Sequence, residues 1–199
     1  MIMTESQNQQ DTARPTMGRA FLSAFNRANL PSLKTQFIFW SVTAFGIVLD
    51  LWTKSAVFNW LLKQEGYRYS IIDGFLHLVL TENEGAAFGI AGGQTVFLII
   101  ISAVALIIVI GVFLFGASKQ KLMNISLALF TAGICGNLYD RIFNDGLVRD
   151  FIDVVYWPGR HWPAFNLADS MLCIGIALMI ISGLFTTEHS VQKHAEPQK

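Results

Sequence analysis

Asn137, Asp140 and Arg141 stand at positions i, i+3 and i+4, and Asn166 and Asp169 repeat the i, i+3 interval after a stretch that holds Asp150 and Asp153. On a helix these intervals put side chains on one face. Two carboxylates held together in a partly desolvated site cannot both ionise easily, so they share a proton near neutral pH, one acting as base and the other as acid. That division suits hydrolysis of a peptide bond: the carboxylate takes a proton from attacking water, and the protonated partner donates to the developing oxyanion and then to the leaving amine. Any one of these residues is explained as well by a helix cap or an interfacial hydrogen bond. Their convergence is not.

Other chemistries have weaker support. His77, His161, His189 and His194 lack metal-ligand spacing such as H-E-x-x-H, so no metal is expected. Ser170 adjoins Asp169 and could pair with His161, but no G-x-S-x-G elbow surrounds it. Cys135 and Cys173 both sit in apolar segments and read as packing residues. Asp50 precedes Lys54 by four residues, a spacing that permits an ion pair on one helix face. This pair fits an interfacial salt bridge or a direct role in the site equally.

The elements that must position these residues are apolar. Of 199 residues, 53% are hydrophobic and 14% charged, against roughly 45–50% and about 25% in soluble domains. Four segments, 37–56, 95–115, 122–142 and 164–185, each approach the ~20 residues needed to cross a hydrocarbon core, where unpaired backbone amides cannot be left. The expected fold is an all-α membrane protein of four transmembrane helices. A small extracytoplasmic subdomain lies between helices one and two, where Tyr67, Tyr69, Ile71 and then Leu76, Leu78, Leu80 alternate as in short strands or line an interfacial helix. Residues 1–36 read as a disordered cytoplasmic tail, 37–185 as the membrane domain and 186–199 as a cytoplasmic tail. Basic residues choose the side: Arg14, Arg19, Arg27 and Lys34 precede the first helix, Lys119 and Lys121 sit in the second connection, and Lys193 and Lys199 end the chain. Both termini are therefore expected in the cytoplasm. Helix three then runs outward and helix four inward, so both polar faces meet near the outer surface. The glycines 85, 89 and 93 precede helix two and read as a turn. Zero net charge argues against a nucleic-acid partner. A small proton-coupled transporter is the alternative, since paired intramembrane carboxylates also relay protons; it calls for deeper polar residues and an internal repeat.

The motifs DLWTK (50–54), NEGAAFG (83–89), GNLYDR (136–141), DFID (150–153) and PAFNLADS (163–170) together resemble lipoprotein signal peptidase, or signal peptidase II, in the family's order. The resemblance covers about residues 37–185. It implies a catalytic pair at Asp150 and Asp169, with Asn83, Asn137, Asp140, Arg141 and Asn166 binding substrate or supporting the pair; Asp50 and Lys54 remain candidates for structural support, and Asp153 is read as structural. It further implies aspartic-type cleavage before a diacylglyceryl-modified cysteine of a prolipoprotein, among membrane lipids at the outer face of the bacterial inner membrane, without metal or organic cofactor. Three features depart from the family pattern, one being a polar tail before helix one that is longer than the family's minimal form and is assigned no function. The interval from Asp140 to Asp150 is one residue longer than usual, with Asn144, Asp145 and Gly146 as a turn that absorbs it. Arg149 replaces a commonly apolar residue, and in an extended segment alternation points it away from Asp150.

Overall fold

A computed structural model of the protein describes residues 30–85, 94–116 and 120–195, with side chains as far as Leu184. The tail up to residue 29, most of the glycine turn and Lys119 lie outside the described residues. Among the described residues, four helices are long and apolar enough to cross a membrane. They are α1 (Leu33–Leu61), α2 (Thr95–Phe115), α3 (Lys121–Phe143) and α4 (Leu167–Ala195).

Local chemistry sets the ends of these helices and shifts several from the expected positions. Ser32 caps α1, its hydroxyl accepting from the Thr35 N–H at 3.2 Å, so the helix begins four residues before the apolar run. At its far end α1 continues through Leu61, which is fully buried. α4 starts at Leu167 rather than 164 because Phe165 is held beside β3, exchanging backbone hydrogen bonds with Ile152 at 2.8 and 3.1 Å. It then continues through Ala195, into the stretch assigned to a tail.

α3 is the most buried of the four helices, whereas α2 buries only Leu98, Val109 and Phe113. Between apolar helices in lipid there is no hydrophobic driving force, so association rests on close packing and small residues. α3 and α4 approach where a Cβ on Gly133 would lie 2.5 Å from the Ala168 carbonyl oxygen, and Ala132 and Ala168 are fully buried beside it. Towards the other end of the bundle, Phe39 stacks on Phe113 at 3.7 Å between ring centroids.

A four-stranded antiparallel sheet in the order β1-β2-β3-β4 sits at one end of the helices. Its strands are β1 (Arg68–Ile72), β2 (Leu76–Asn83), β3 (Val148–Trp157) and β4 (Arg160–His161). The alternating stretch after α1 thus forms strands, as one of its two readings has it. The subdomain is not confined to the connection between the first two helices, however, because β3 and β4 come from the connection between α3 and α4. Pairing of β2 with β3 sets Thr81 opposite Asp150 and His77 opposite Asp153, with a register shift between. Before β3, the chain turns through Asp145 and Gly146, both at positive φ (50° and 87°), a conformation that glycine and aspartate tolerate.

Candidate active site

Asn166 is the N-cap of α4, and with Asp169 it forms a reciprocal capping box. Its Oδ1 accepts the Asp169 N–H at 3.0 Å, while its own N–H donates to Asp169 Oδ2 at 3.2 Å. The i, i+3 interval therefore serves first to start the helix. The cap also fixes the Asn166 amide group, whose Nδ2 donates to Asp150 Oδ1 at 2.7 Å, to Asn137 Oδ1 at 3.1 Å and to the Arg149 carbonyl at 3.3 Å. One side chain thus ties together α4, α3 and β3.

Asp150 is 2% exposed and accepts a second hydrogen bond from Asn83 Nδ2 at 3.0 Å, delivered by the end of β2. Asp169 Oδ1 accepts from Asn137 Nδ2 at 2.7 Å. Both aspartates line a cavity of about 640 Å³, together with Asn83, Asn137 and Arg141. Burial first, and the charge of Asp169 second, push the Asp150 carboxyl up from 3.8 to about 7. Hydrogen bonds from Asn83 and Asn166, and the Lys54 charge, oppose the rise. Away from the aspartates the cavity wall turns apolar, with Leu98 and Ile101 from α2, Ile134 from α3, and Leu172 and Ile176 from α4.

Arg141 lines the cavity but is held by backbone, donating to the Gly85 carbonyl at 2.8 Å. Asp140 does not share its face. It is fully buried and turns to Arg149, whose Nη2 donates to Oδ1 at 2.6 Å and whose backbone N–H donates to Oδ2 at 3.1 Å. Asn137, Asp140 and Arg141 therefore do not all point into one site. Lys54 reaches Asp50 at 2.8 Å and Asp140 at 3.3 Å, and donates to Asn137 Oδ1 at 3.0 Å. Asp50 and Lys54 form a fully buried ion pair, and neither residue lines the cavity.

Arg149 turns away from Asp150, as alternation along the strand has it, and pairs with Asp140, a partner that the spacing does not show. The available signal was the carboxylate on α3 that needed a cation. Asp153 belongs to a separate cluster, bound by Arg68 at 3.0 Å and His161 at 2.7 Å, with His77 at 3.6 Å. Ser170 donates to the Asn166 carbonyl at 3.1 Å, so the Ser170–His161 pairing does not form. Among the described residues, no group of three or more His, Cys, Asp or Glu side chains is arranged to hold a metal ion.

A model of the family described as signal peptidase (SPase) II matches residues 42–185. The chain belongs to the signal peptidase II family. Lipoprotein signal peptidase of Sulfurihydrogenibium sp. (strain YO3AOP1) is 45% identical over 145 residues, covering 70% of this chain and 86% of the relative. Lipoprotein signal peptidase of Bacillus pumilus (strain SAFR-032) is 36% identical over 151 residues, covering 74% and 93%. A bacterial membrane enzyme solved by the in meso method at 2.3 Å resolution superposes with a TM-score of 0.68 at 32% identity, covering 81% of this chain and 94% of that one. This signal peptidase II is accordingly a multi-pass membrane peptidase, and the transporter reading finds no support among these relatives.

Proposed function

We propose that this signal peptidase II is an aspartic endopeptidase that removes the signal peptide from diacylglyceryl-modified prolipoproteins, cutting before the lipidated cysteine, with Asp150 and Asp169 as its catalytic pair. The observation that carries the reading is that two carboxyls share one cavity and one of them, Asp150, is raised to about 7 by burial and by the other. Near neutral pH Asp150 holds the proton and Asp169 is the base. Water attacks the scissile carbonyl carbon as Asp169 takes its proton, and Asp150 donates to the carbonyl oxygen. Collapse of the tetrahedral diol breaks the C–N bond as Asp169 gives its proton to the nitrogen and Asp150 takes one back from a diol hydroxyl, so the amine leaves and both carboxyls return to their starting state. The chemistry uses no metal or organic cofactor. Asn83, Asn137 and Asn166 fix the carboxyl rotamers, and Arg141, which stays protonated, offsets their charge rather than shuttling protons. Asp140, Asp50 and Lys54 support the site from behind.

The amphiphilic cavity supports the lipid part of this reading. Its apolar end, between α2, α3 and α4, suits acyl chains, while its polar end suits a peptide backbone. Orientation follows from the basic residues: both termini face the cytoplasm of the bacterial inner membrane, and the sheet and aspartates lie at the outer face. Residues 1–36 and 186–199 flank the peptidase domain on the cytoplasmic side.

The test is single-turnover cleavage of a lipidated and an unlipidated precursor by the reconstituted enzyme, with sequencing of the new N-terminus. Only the lipidated precursor should be cut, and Asp150→Asn and Asp169→Asn should bind it but cleave orders of magnitude more slowly, with Asp153→Asn milder. Near-normal rates in both variants would sink the aspartic mechanism. A reporter fused after Gln120 should read cytoplasmic; an external reading would reverse the orientation.

A further inference from the structure

The two proposed catalytic aspartates are each preceded by a residue whose backbone N–H ends on a buried carboxylate. Ala168, before Asp169, donates its N–H to Asp50 Oδ1 at 2.8 Å. Arg149, before Asp150, donates its N–H to Asp140 Oδ2 at 3.1 Å. Asp50 and Asp140 lie on different helices and are bridged by one ammonium, Lys54, at 2.8 and 3.3 Å. All three side chains are wholly buried, and none lines the cavity.

We propose that Lys54 is the positioning residue of the aspartic pair: from outside the cavity it brackets Asp50 and Asp140, and through the N–H groups of Ala168 and Arg149 it sets the separation of the Asp169 and Asp150 carboxyls. The proposal rests on the assignment of those two aspartates as the catalytic pair. A third contact strengthens it, since Lys54 also donates to Asn137 Oδ1 at 3.0 Å. With its oxygen engaged by an ammonium, the Asn137 amide can only present Nδ2 to Asp169, where it donates at 2.7 Å. Lys54 thereby orients the Asp169 carboxyl and holds the backbone on both sides of the cavity.

Stability alone gives little reason for this arrangement, because a buried ammonium is costly to desolvate and apolar replacements of buried ion pairs are often neutral or stabilising. Three oxygens from α1 and α3 converge on one nitrogen, a geometry for a compact point charge with rotatable donors rather than for a planar guanidinium. Arg149, binding Asp140 through Nη2 at 2.6 Å and Nε at 3.3 Å, balances the second carboxylate, so the group of Asp50, Lys54, Asp140 and Arg149 is neutral as a whole.

The experiment is single-turnover and steady-state cleavage of a lipidated prolipoprotein by full-length, reconstituted Lys54→Met and by Lys54→Met/Asp50→Asn, in which the lost charges balance and the amide at 50 can still accept from Ala168. Misplaced reacting groups should slow cleavage about 10²-fold while leaving KM within about twofold. In the single variant the alkaline limb of the rate profile should also move to higher pH, because the lost cation no longer favours ionised Asp150, which Asp169 and Arg141 still face; a purely structural role would not move that limb. Wild-type rates and pH profile in folded Lys54→Met would overturn the proposal. A raised KM with unchanged kcat, or failure of both variants to fold, would equally overturn it by making Lys54 a residue of binding or of the fold. Asp150→Asn and Asp169→Asn run in parallel, and near-normal rates there would instead defeat the assignment of the pair.

Discussion

Asn137 donates its Nδ2 to Asp169 Oδ1 across 2.7 Å, joining α3 to the first turn of α4. The oxygen of the same amide accepts from Lys54 and Asn166. Asn137 is therefore a one-way connector, with acceptor contacts behind and a donor contact towards the cavity.

Asn137→Asp should keep the contacts behind it, because a carboxylate oxygen still accepts from Lys54 and Asn166. It should lose the donor to Asp169 and set a third carboxylate beside the pair. Cleavage of a lipidated precursor is expected to fall on the order of 10²-fold or more while the variant inserts and folds. Full activity would show that the donor contact has no part in the reaction.

The raised pKa of Asp150 makes both rate and stability depend on pH. Between its ordinary 3.8 and about 7 the folded protein keeps a proton that the unfolded chain has lost, so this group's contribution to stability is full at the acid end and declines as pH rises across that window. Asp150→Asn lacks the titration. Whatever their offset at low pH, the difference in Tm should move in the variant's favour up to about pH 7 and then level off. Cleavage by the unaltered enzyme should decline above about pH 7, where the pair loses its shared proton. Thermal unfolding in detergent and a pH series of rates check the two expectations, and a constant Tm difference would contradict the first.

Close approach of α3 and α4 leaves no room at Gly133, where an added Cβ would lie 2.5 Å from the Ala168 carbonyl oxygen and 2.7 Å from Leu172 Cγ. Ala168 immediately precedes Asp169. Gly133→Ala should cost about 1–3 kcal/mol in stability, as overpacking of a tight contact does, and should slow cleavage by displacing the start of α4. Unfolding in denaturant with parallel rate measurement tests both effects; an unchanged midpoint would mean that the helices can part without penalty.

Ile101 lines the apolar end of the cavity. Ile101→Trp fills space there without touching the carboxyls, so KM for a diacylated precursor should rise about tenfold with kcat little changed, the pattern of lost binding shared by ground and transition states. If KM does not move, the acyl chains lie elsewhere.

Several features were settled by local spacing. Lipid forces backbone amides to pair within the segment, so apolar runs of sufficient length become helices whatever their neighbours. The i, i+3 interval of Asn166 and Asp169 belongs to a capping box, and the i, i+4 interval of Asp50 and Lys54 to an ion pair; both are geometry within one turn. Periodicity carried no information on which partner lies across a helix or strand contact. Asn83 meets Asp150 because β2 pairs with β3 in one register. Asp140 leaves its helical neighbours Asn137 and Arg141 because Arg149, from a following strand, competes for its carboxylate. Asp153 joins Arg68, His77 and His161 rather than Asp150, since the two residues between Asp150 and Asp153 cross a shift in strand register. The chain's own spacing determined that four apolar helices form and that Asp50 and Lys54 pair within one turn; strand register, the hold of β3 on Phe165 and the close approach of α3 and α4 decided where α4 begins and which polar groups meet, because those contacts join residues whose separation along the chain does not constrain their distance in space.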